Sequence, residues 1–160
     1  MKKEIENTYA YIKNYPIHLK IMQYCGSDKR KNSYIFDSKT WKSIIFQIIF
    51  ALYIMQKYYN LSHNDLHLGN ILFKKTGIEH YYYRYKDTYF KVPLFGYSVK
   101  IIDWNRSTFT INNSIFYNDC FREDGVATGQ FTLPMRKYKP AKIHLPNDST
   151  DLAILSKSIL

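Results

Sequence analysis

The chain has 160 residues, 46% hydrophobic and 22% charged, which suits one packed domain or part of a larger one. Its 23 basic against 13 acidic residues leave a net charge of +10, favouring acidic partners such as nucleotides, nucleic acid or acidic peptides. The longest apolar run, 44–55, is too short for a bilayer, and residues 1–11 lack a signal-like apolar stretch, so membrane spanning and secretion are disfavoured.

In chain order, residues 17–23 alternate loosely and break at Cys25-Gly26-Ser27, which reads as a strand leaving into a loop. Residues 26–33 are polar and basic, a solvated loop around Lys29-Arg30-Lys31. Ser38 or Thr40 suits the cap of a helix over 41–59. Its Ile44, Ile45, Ile48, Ile49, Leu52 and Met55 have the spacing of a buried face. Residues 71–73 predict a short apolar strand, and a tyrosine-rich segment follows at 80–92. Its arms 81–85 and 88–92 pair as a hairpin across Lys86-Asp87, and Pro93 ends the second arm. Base stacking beside Arg84 and Lys86 ranks behind an alternating strand pair with one packed face. Another short strand covers 99–102. From 105 to 146, glycine and proline breakers predict mostly loop, and a last helix starts near Ser149, capped by Ser149 or Thr150. Cys25 and Cys120 make no C-x-x-C pair, which suits a reducing, intracellular setting.

The chemistry concentrates in 61–73, LSHNDLHLGNILF, a polar loop between a long helix and a strand. Asp65 and Asn70 lie in that loop, and the 99–102 strand delivers Asp103 in VKIIDW. Phosphoryl transfer asks for positioning and charge neutralisation more than covalent chemistry. One carboxylate must accept or orient the proton of an attacking hydroxyl, while hard oxygen donors hold Mg²⁺ against the phosphates. Asp65, Asn70 and Asp103 are the right residue types for those three jobs.

His63-Asn64-Asp65-Leu66-His67-Leu68-Gly69-Asn70 resembles the catalytic loop H-R-D-L-x-x-x-N of the protein kinase superfamily, with Asp103-Trp104-Asn105 standing where those enzymes have D-F-G. Within it, D-L-H-x-G-N followed by a longer strand–hairpin–strand insert resembles haspin-type kinases. The stretch KKTGIEHYYYRYKDTYFKVPLFGYSVKIID is similar to protein kinases of large DNA viruses. A lysine-, asparagine- and isoleucine-rich composition, typical of A/T-rich genomes, agrees with that.

The resemblance implies an α+β fold: a protein-kinase-like C-terminal lobe, mainly helical with short β-hairpins, its N-lobe largely missing. It assigns 17–25 to the last N-lobe strand and hinge, 41–59 to the long C-lobe helix and 61–73 to the catalytic loop. The inserted hairpin is then 80–92, the activation segment 103–146, and 149–160 the start of the following helix, opened by Asp151. The implied cofactors are ATP and Mg²⁺, and the implied acceptor is a Ser or Thr of a protein, basic or acidic. Asp65 would be the catalytic base, His67 would sit beside the transferred phosphate, and Asn70 and Asp103 would hold the metal. Met22 would be the gatekeeper, Gln23 and Cys25 would offer backbone groups to adenine, and Leu72 would floor its pocket. His63 would pack and hydrogen-bond the loop.

Four departures shape the expectation. Asn64 replaces the family arginine, His67 the usual lysine, and Trp104-Asn105 the Phe-Gly pair; no glycine-rich loop or V-A-I-K lysine precedes Ile17. The chain alone is therefore expected to bind Mg·ATP weakly and transfer phosphate poorly, as a C-lobe fragment that either comes from a truncated frame or needs a partner chain to supply the upper lobe. The competing readings are a small-molecule kinase of the aminoglycoside or choline type, and a non-catalytic pseudokinase or binding module. An intracellular location follows, in host cytoplasm or virion were the chain viral.

Overall fold

The computed structural model describes residues 23–25, 27–28, 36–121, 125–127 and 149–159. Helix α1 (Ser38–Tyr59) starts where Asp37 caps it, its carboxylate accepting from the Thr40 backbone N–H at 2.8 Å. The cap thus lies ahead of Ser38 and Thr40, and the helix gains its first turn over the predicted start. Hydrogen bonding to Thr40 also lowers the Asp37 pKa. Asn60 ends the helix in the left-handed region at φ 45°, its N–H returning to the Gln56 carbonyl.

The expected apolar face of α1 divides. Ile44, Ile48 and Leu52 enter the core with Leu66, Ile71, Phe73 and Leu155, whereas Ile45 and Ile49 are exposed and Met55 is half-buried. Gln47, which interrupts the apolar run, is buried for a reason. Its Oε1 accepts from Val99 N at 2.9 Å and its Nε2 donates to the Tyr97 carbonyl at 3.3 Å. Ser43, one turn earlier, donates to the Pro93 carbonyl at 2.6 Å. Polar side chains therefore fix the helix against the strands.

The central sheet is antiparallel, with β2 (Ile71–Lys75) between β1 (Ser27–Asp28) and β5 (Tyr97–Ile101). Ile71 pairs with Ile101 and Phe73 with Val99. Ile71 and Phe73 are buried, and Leu72 is half-buried on the alternate face. Ser27 and Asp28, read as loop from sequence, pair with Phe73 and Leu72. Of the expected 17–23 strand, 17–22 lie outside the described residues.

Strands β3 (His80–Tyr85) and β4 (Thr88–Pro93) form the expected hairpin, Pro93 closing it opposite His80. Lys86 takes a positive φ of 51° at the two-residue turn. The inner face packs on α1 through rings: Tyr83 lies 4.7 Å from Phe50 and 5.3 Å from Phe46, and Tyr85 5.1 Å from Tyr53. Desolvation there pushes the Tyr83 phenol up to about 12.

The segment after 105, expected as loop, holds a second hairpin, β6 (Phe109–Ile111) with β7 (Ser114–Phe116). Asn112 and Asn113 both take positive φ at its turn, which asparagine tolerates better than most side chains. Helix α2 (Thr150–Ile159) starts as expected, with Ser149 O accepting from Ala153 N. Among the described residues, two helices and seven strands thus make an α+β arrangement in which helix does not dominate. None of their helices is long and apolar enough to cross a membrane.

Candidate active site

The loop between α1 and β2 has little regular structure, so side chains must hold its shape. Ser62 exchanges two backbone hydrogen bonds with Thr108, at 2.9 and 3.0 Å. Asp151, in the first turn of α2, is wholly buried and accepts from the backbone N–H groups of His63 at 2.7 Å and Asn64 at 2.8 Å. Burial raises its carboxyl pKa, opposed by those two donors. Leu68 N donates to Ser158 Oγ at 2.9 Å, so α2 grips the loop at two places.

His63 is also wholly buried. Its Nε2 donates to the Ile102 carbonyl at 2.9 Å, and its Nδ1 accepts from Asp65 N at 3.3 Å. The ring lies 4.7 Å from Trp104, giving the residue after Asp103 a packing partner. Asn64 occupies the left-handed region at φ 64°, and its amide donates to Arg106 O at 2.9 Å and Thr108 Oγ1 at 3.0 Å. In place of a family arginine, a neutral amide therefore ties this loop to residues 106–108.

Asp65 stands at the centre. Its carbonyl accepts from Asn70 Nδ2 at 2.8 Å and His67 N at 2.9 Å, closing the loop on itself. Its carboxylate is 18% exposed and pairs through Oδ1 with Arg106 Nη1 at 3.1 Å, while His67 Nε2 lies 3.9 Å from Oδ2. His67 Nδ1 accepts from Gly69 N at 3.0 Å, so the proton of the neutral ring sits on Nε2, toward Asp65. Asn70 O accepts from Ile102 N at 3.0 Å, which brings Asp103, one residue later, to the same end of the sheet. Asp103 is exposed and left-handed, at φ 63° and ψ 61°, a costly conformation for a residue with a Cβ. Its Oδ1 accepts from Asn105 Nδ2 at 3.0 Å.

The structure thus brings Asp65, His67, Asn70 and Asp103 together where β2 begins and β5 ends. Leu72 follows on β2. Gln23 is exposed and Cys25 half-buried, its thiol donating to the Gln23 carbonyl at 3.2 Å; Met22 lies outside the described residues. Sequence reasoning missed Arg106 as the partner of Asp65, and saw Asp151 only as a helix opener. Both act across long chain separations, and no local pattern announces either.

The chain is similar in sequence to known proteins. Residues 4–130 match the family described as the haspin-like kinase domain. The haspin homolog of Drosophila melanogaster, a serine/threonine-protein kinase, is 32% identical over 112 residues, covering 69% of this chain and 20% of the relative. Haspin of Bos taurus is 32% identical over 91 residues, covering 57% and 12%. A protein of Acanthamoeba polyphaga mimivirus carrying a serine/threonine-protein kinase name is 35% identical over 83 residues, covering 48% and 18%. The chain spans a fifth or less of the length of these relatives. A family match over most of the chain, joined to a loop that carries the superfamily's motif, makes the chain a member of the haspin-like kinase domain family.

Proposed function

We propose that the chain carries the lower half of a protein kinase site, transferring the γ-phosphoryl group of ATP to Ser or Thr hydroxyls with Mg²⁺. One observation carries this reading. Asn70 Nδ2 bonds the Asp65 carbonyl and Ile102 N bonds the Asn70 carbonyl, so one hydrogen-bonded unit links the chain segments that carry Asp65, Asn70 and Asp103. That trio suits the base and metal-binding roles of phosphoryl transfer.

The donor set fits Mg²⁺. Asn70 commits its Nδ2 to the Asp65 carbonyl, which leaves its hard Oδ1 as the available donor atom. Asp103 adds a carboxylate in which Asn105 engages Oδ1. Asn70 and Asp103 would hold the ion, which supplies charge neutralisation at the phosphate oxygens when bound. Asp65 Oδ2 would take or orient the acceptor hydroxyl's proton as the new O–P bond forms and the bond to the ADP oxygen breaks. Arg106 holds Oδ1 and so fixes which carboxylate oxygen faces the acceptor. The His67 Nε2–H would donate toward the transferred group, the task a lysine performs elsewhere.

In this reading α1, β2, β5 and α2 belong to the C-lobe, 17–25 form the last N-lobe strand and hinge, and 103–146 is the activation segment. Met22, Gln23, Cys25 and Leu72 would meet the adenine. A partner chain, or further chain of the same protein, would complete the cleft. The test is radiolabel transfer from ATP to protein acceptors, alongside Asp65→Asn and Asp103→Asn. We expect label on Ser or Thr that requires Mg²⁺ and disappears in both variants. Full transfer by Asp65→Asn, or label only on hydroxylated small molecules, would overturn the assignment.

A further inference from the structure

Outside the catalytic loop, the first turns of α1 and strand β4 enclose a groove of about 570 Å³. Its apolar wall includes Phe46, Phe90 and Phe95, and Lys39, Lys42 and Lys91 stand along it. The three lysines and Phe95 are exposed, and among the described residues no carboxylate lines the groove. The walls are held in place before anything binds. Ser43 donates to the Pro93 carbonyl at 2.6 Å, Gln47 ties the same helix to β5, and Phe46 packs on Phe90 at 5.6 Å. A groove formed in advance loses little conformational freedom on binding. Strand β4 pairs with β3 on one side and, among the described residues, with no strand on the other. A free edge offers backbone N–H and C=O groups to an added extended segment.

We propose that this groove docks an extended acidic peptide segment, with aliphatic or aromatic side chains alternating among its carboxylates. Three lysines along a groove that no carboxylate lines among the described residues select for carboxylates, the phenylalanine wall takes the alternate apolar side chains, and the β4 edge pairs with the peptide backbone. A single-stranded nucleic acid would share the charge but wants open ring faces to stack on. Here Phe46 stacks on Phe50 at 6.0 Å and meets Tyr83 edge-on at 5.3 Å, while Arg84 lies over Tyr89 at 5.6 Å. Phe46, Phe90 and Tyr89 are thus engaged with neighbours, which leaves few open ring faces for bases, so the peptide is the better fit. The groove shares no residue with the loop that carries Asp65, and the proposal stands independently of catalysis.

The experiment is fluorescence anisotropy on the whole chain with a labelled peptide of about twelve residues, Asp and Glu alternating with Leu and Phe. Comparison probes replace the acids by Lys, or the peptide by an oligonucleotide of equal charge. The protein variants are K42E/K91E and, separately, Phe95→Ser, each checked by circular dichroism; all three positions are exposed, so the fold is expected to persist. We expect saturable, salt-weakened binding of the acidic peptide, no binding of the lysine peptide, a loss of at least about tenfold in K42E/K91E and a smaller loss in Phe95→Ser. Absent binding, or binding that ignores both variants, overturns the proposal. Tighter, groove-dependent binding of the oligonucleotide also overturns it and makes the surface a nucleic-acid face.

Discussion

Two regions of this molecule are built on opposite plans. The loop between α1 and β2 is short of regular structure and dense in directed bonds: Asp151 holds His63 and Asn64, Asn70 holds the Asp65 carbonyl, and His63 reaches Ile102. The β3–β4 hairpin is regular throughout and sits on α1 mostly through rings, with Tyr83 against Phe46 and Phe50. A loop that must aim three side chains needs interactions that fail when misaligned. Ring packing tolerates small shifts, because dispersion and burial depend weakly on direction. Substitutions in the first region should therefore act on chemistry and loop geometry, and those of the packed rings in the second on stability without touching the chemistry.

The most severe effect is expected from Asp65→Asn. Phosphotransfer should fall by about 10²- to 10⁴-fold, while stability stays within about 1 kcal/mol of wild type by urea unfolding. Asp151→Ala follows. It strands two buried backbone N–H groups and should cost about 3 kcal/mol, with activity falling too because the loop is freed. If Asp151→Ala proves as mild as a surface change, the contrast between the regions is wrong. Tyr83→Ala should cost about 2 kcal/mol of stability with transfer per folded molecule unchanged, against about 0.5 kcal/mol or less for its exposed neighbour Tyr82.

Asn64 separates backbone from side chain. Asn64→Gly keeps the positive φ and loses the amide's two bonds, for about 1 kcal/mol; Asn64→Ala adds the left-handed penalty, for about 2 kcal/mol. Equal losses in thermal or urea unfolding would mean that the backbone there is unstrained. The smallest effect is electrostatic. Burial raises the Asp151 pKa above its ordinary 3.8, so between those two values the folded chain binds more protons than the unfolded one. The stability linked to this group is full below 3.8 and is lost as pH rises through the raised pKa. Urea midpoints of Asp151→Asn should lack that decline, although the variant is less stable throughout; parallel pH profiles would contradict the raised value.

The sequence was legible wherever spacing is a local property. The α1 stripe, the hairpin across Lys86-Asp87 and the loop that carries Asp65 and Asn70 all follow from helix period, strand period or motif, which belong to neighbouring residues. The misses have equally physical causes. Asp37 outranks Ser38 as a cap only once the direction of the incoming chain is known, and the Asn112-Asn113 turn is hidden among the breakers around it. Ile45 and Ile49 carry a core-like spacing yet lie outside, since periodicity cannot say how wide a face the neighbours will cover.

Residue order was enough to name the candidate groups, the elements that carry them and the family to which the chain belongs. How those groups are held was decided by the tertiary fold. Asp151 returns across 88 positions to accept from His63, and Arg106 turns back to the Asp65 carboxylate from the segment after β5. The lysines of α1 and β4 become one cationic groove only when the hairpin folds onto the helix. Hydrogen bonds and ion pairs between distant segments leave no period in a sequence, because their geometry exists only after the hydrophobic core has brought the segments together.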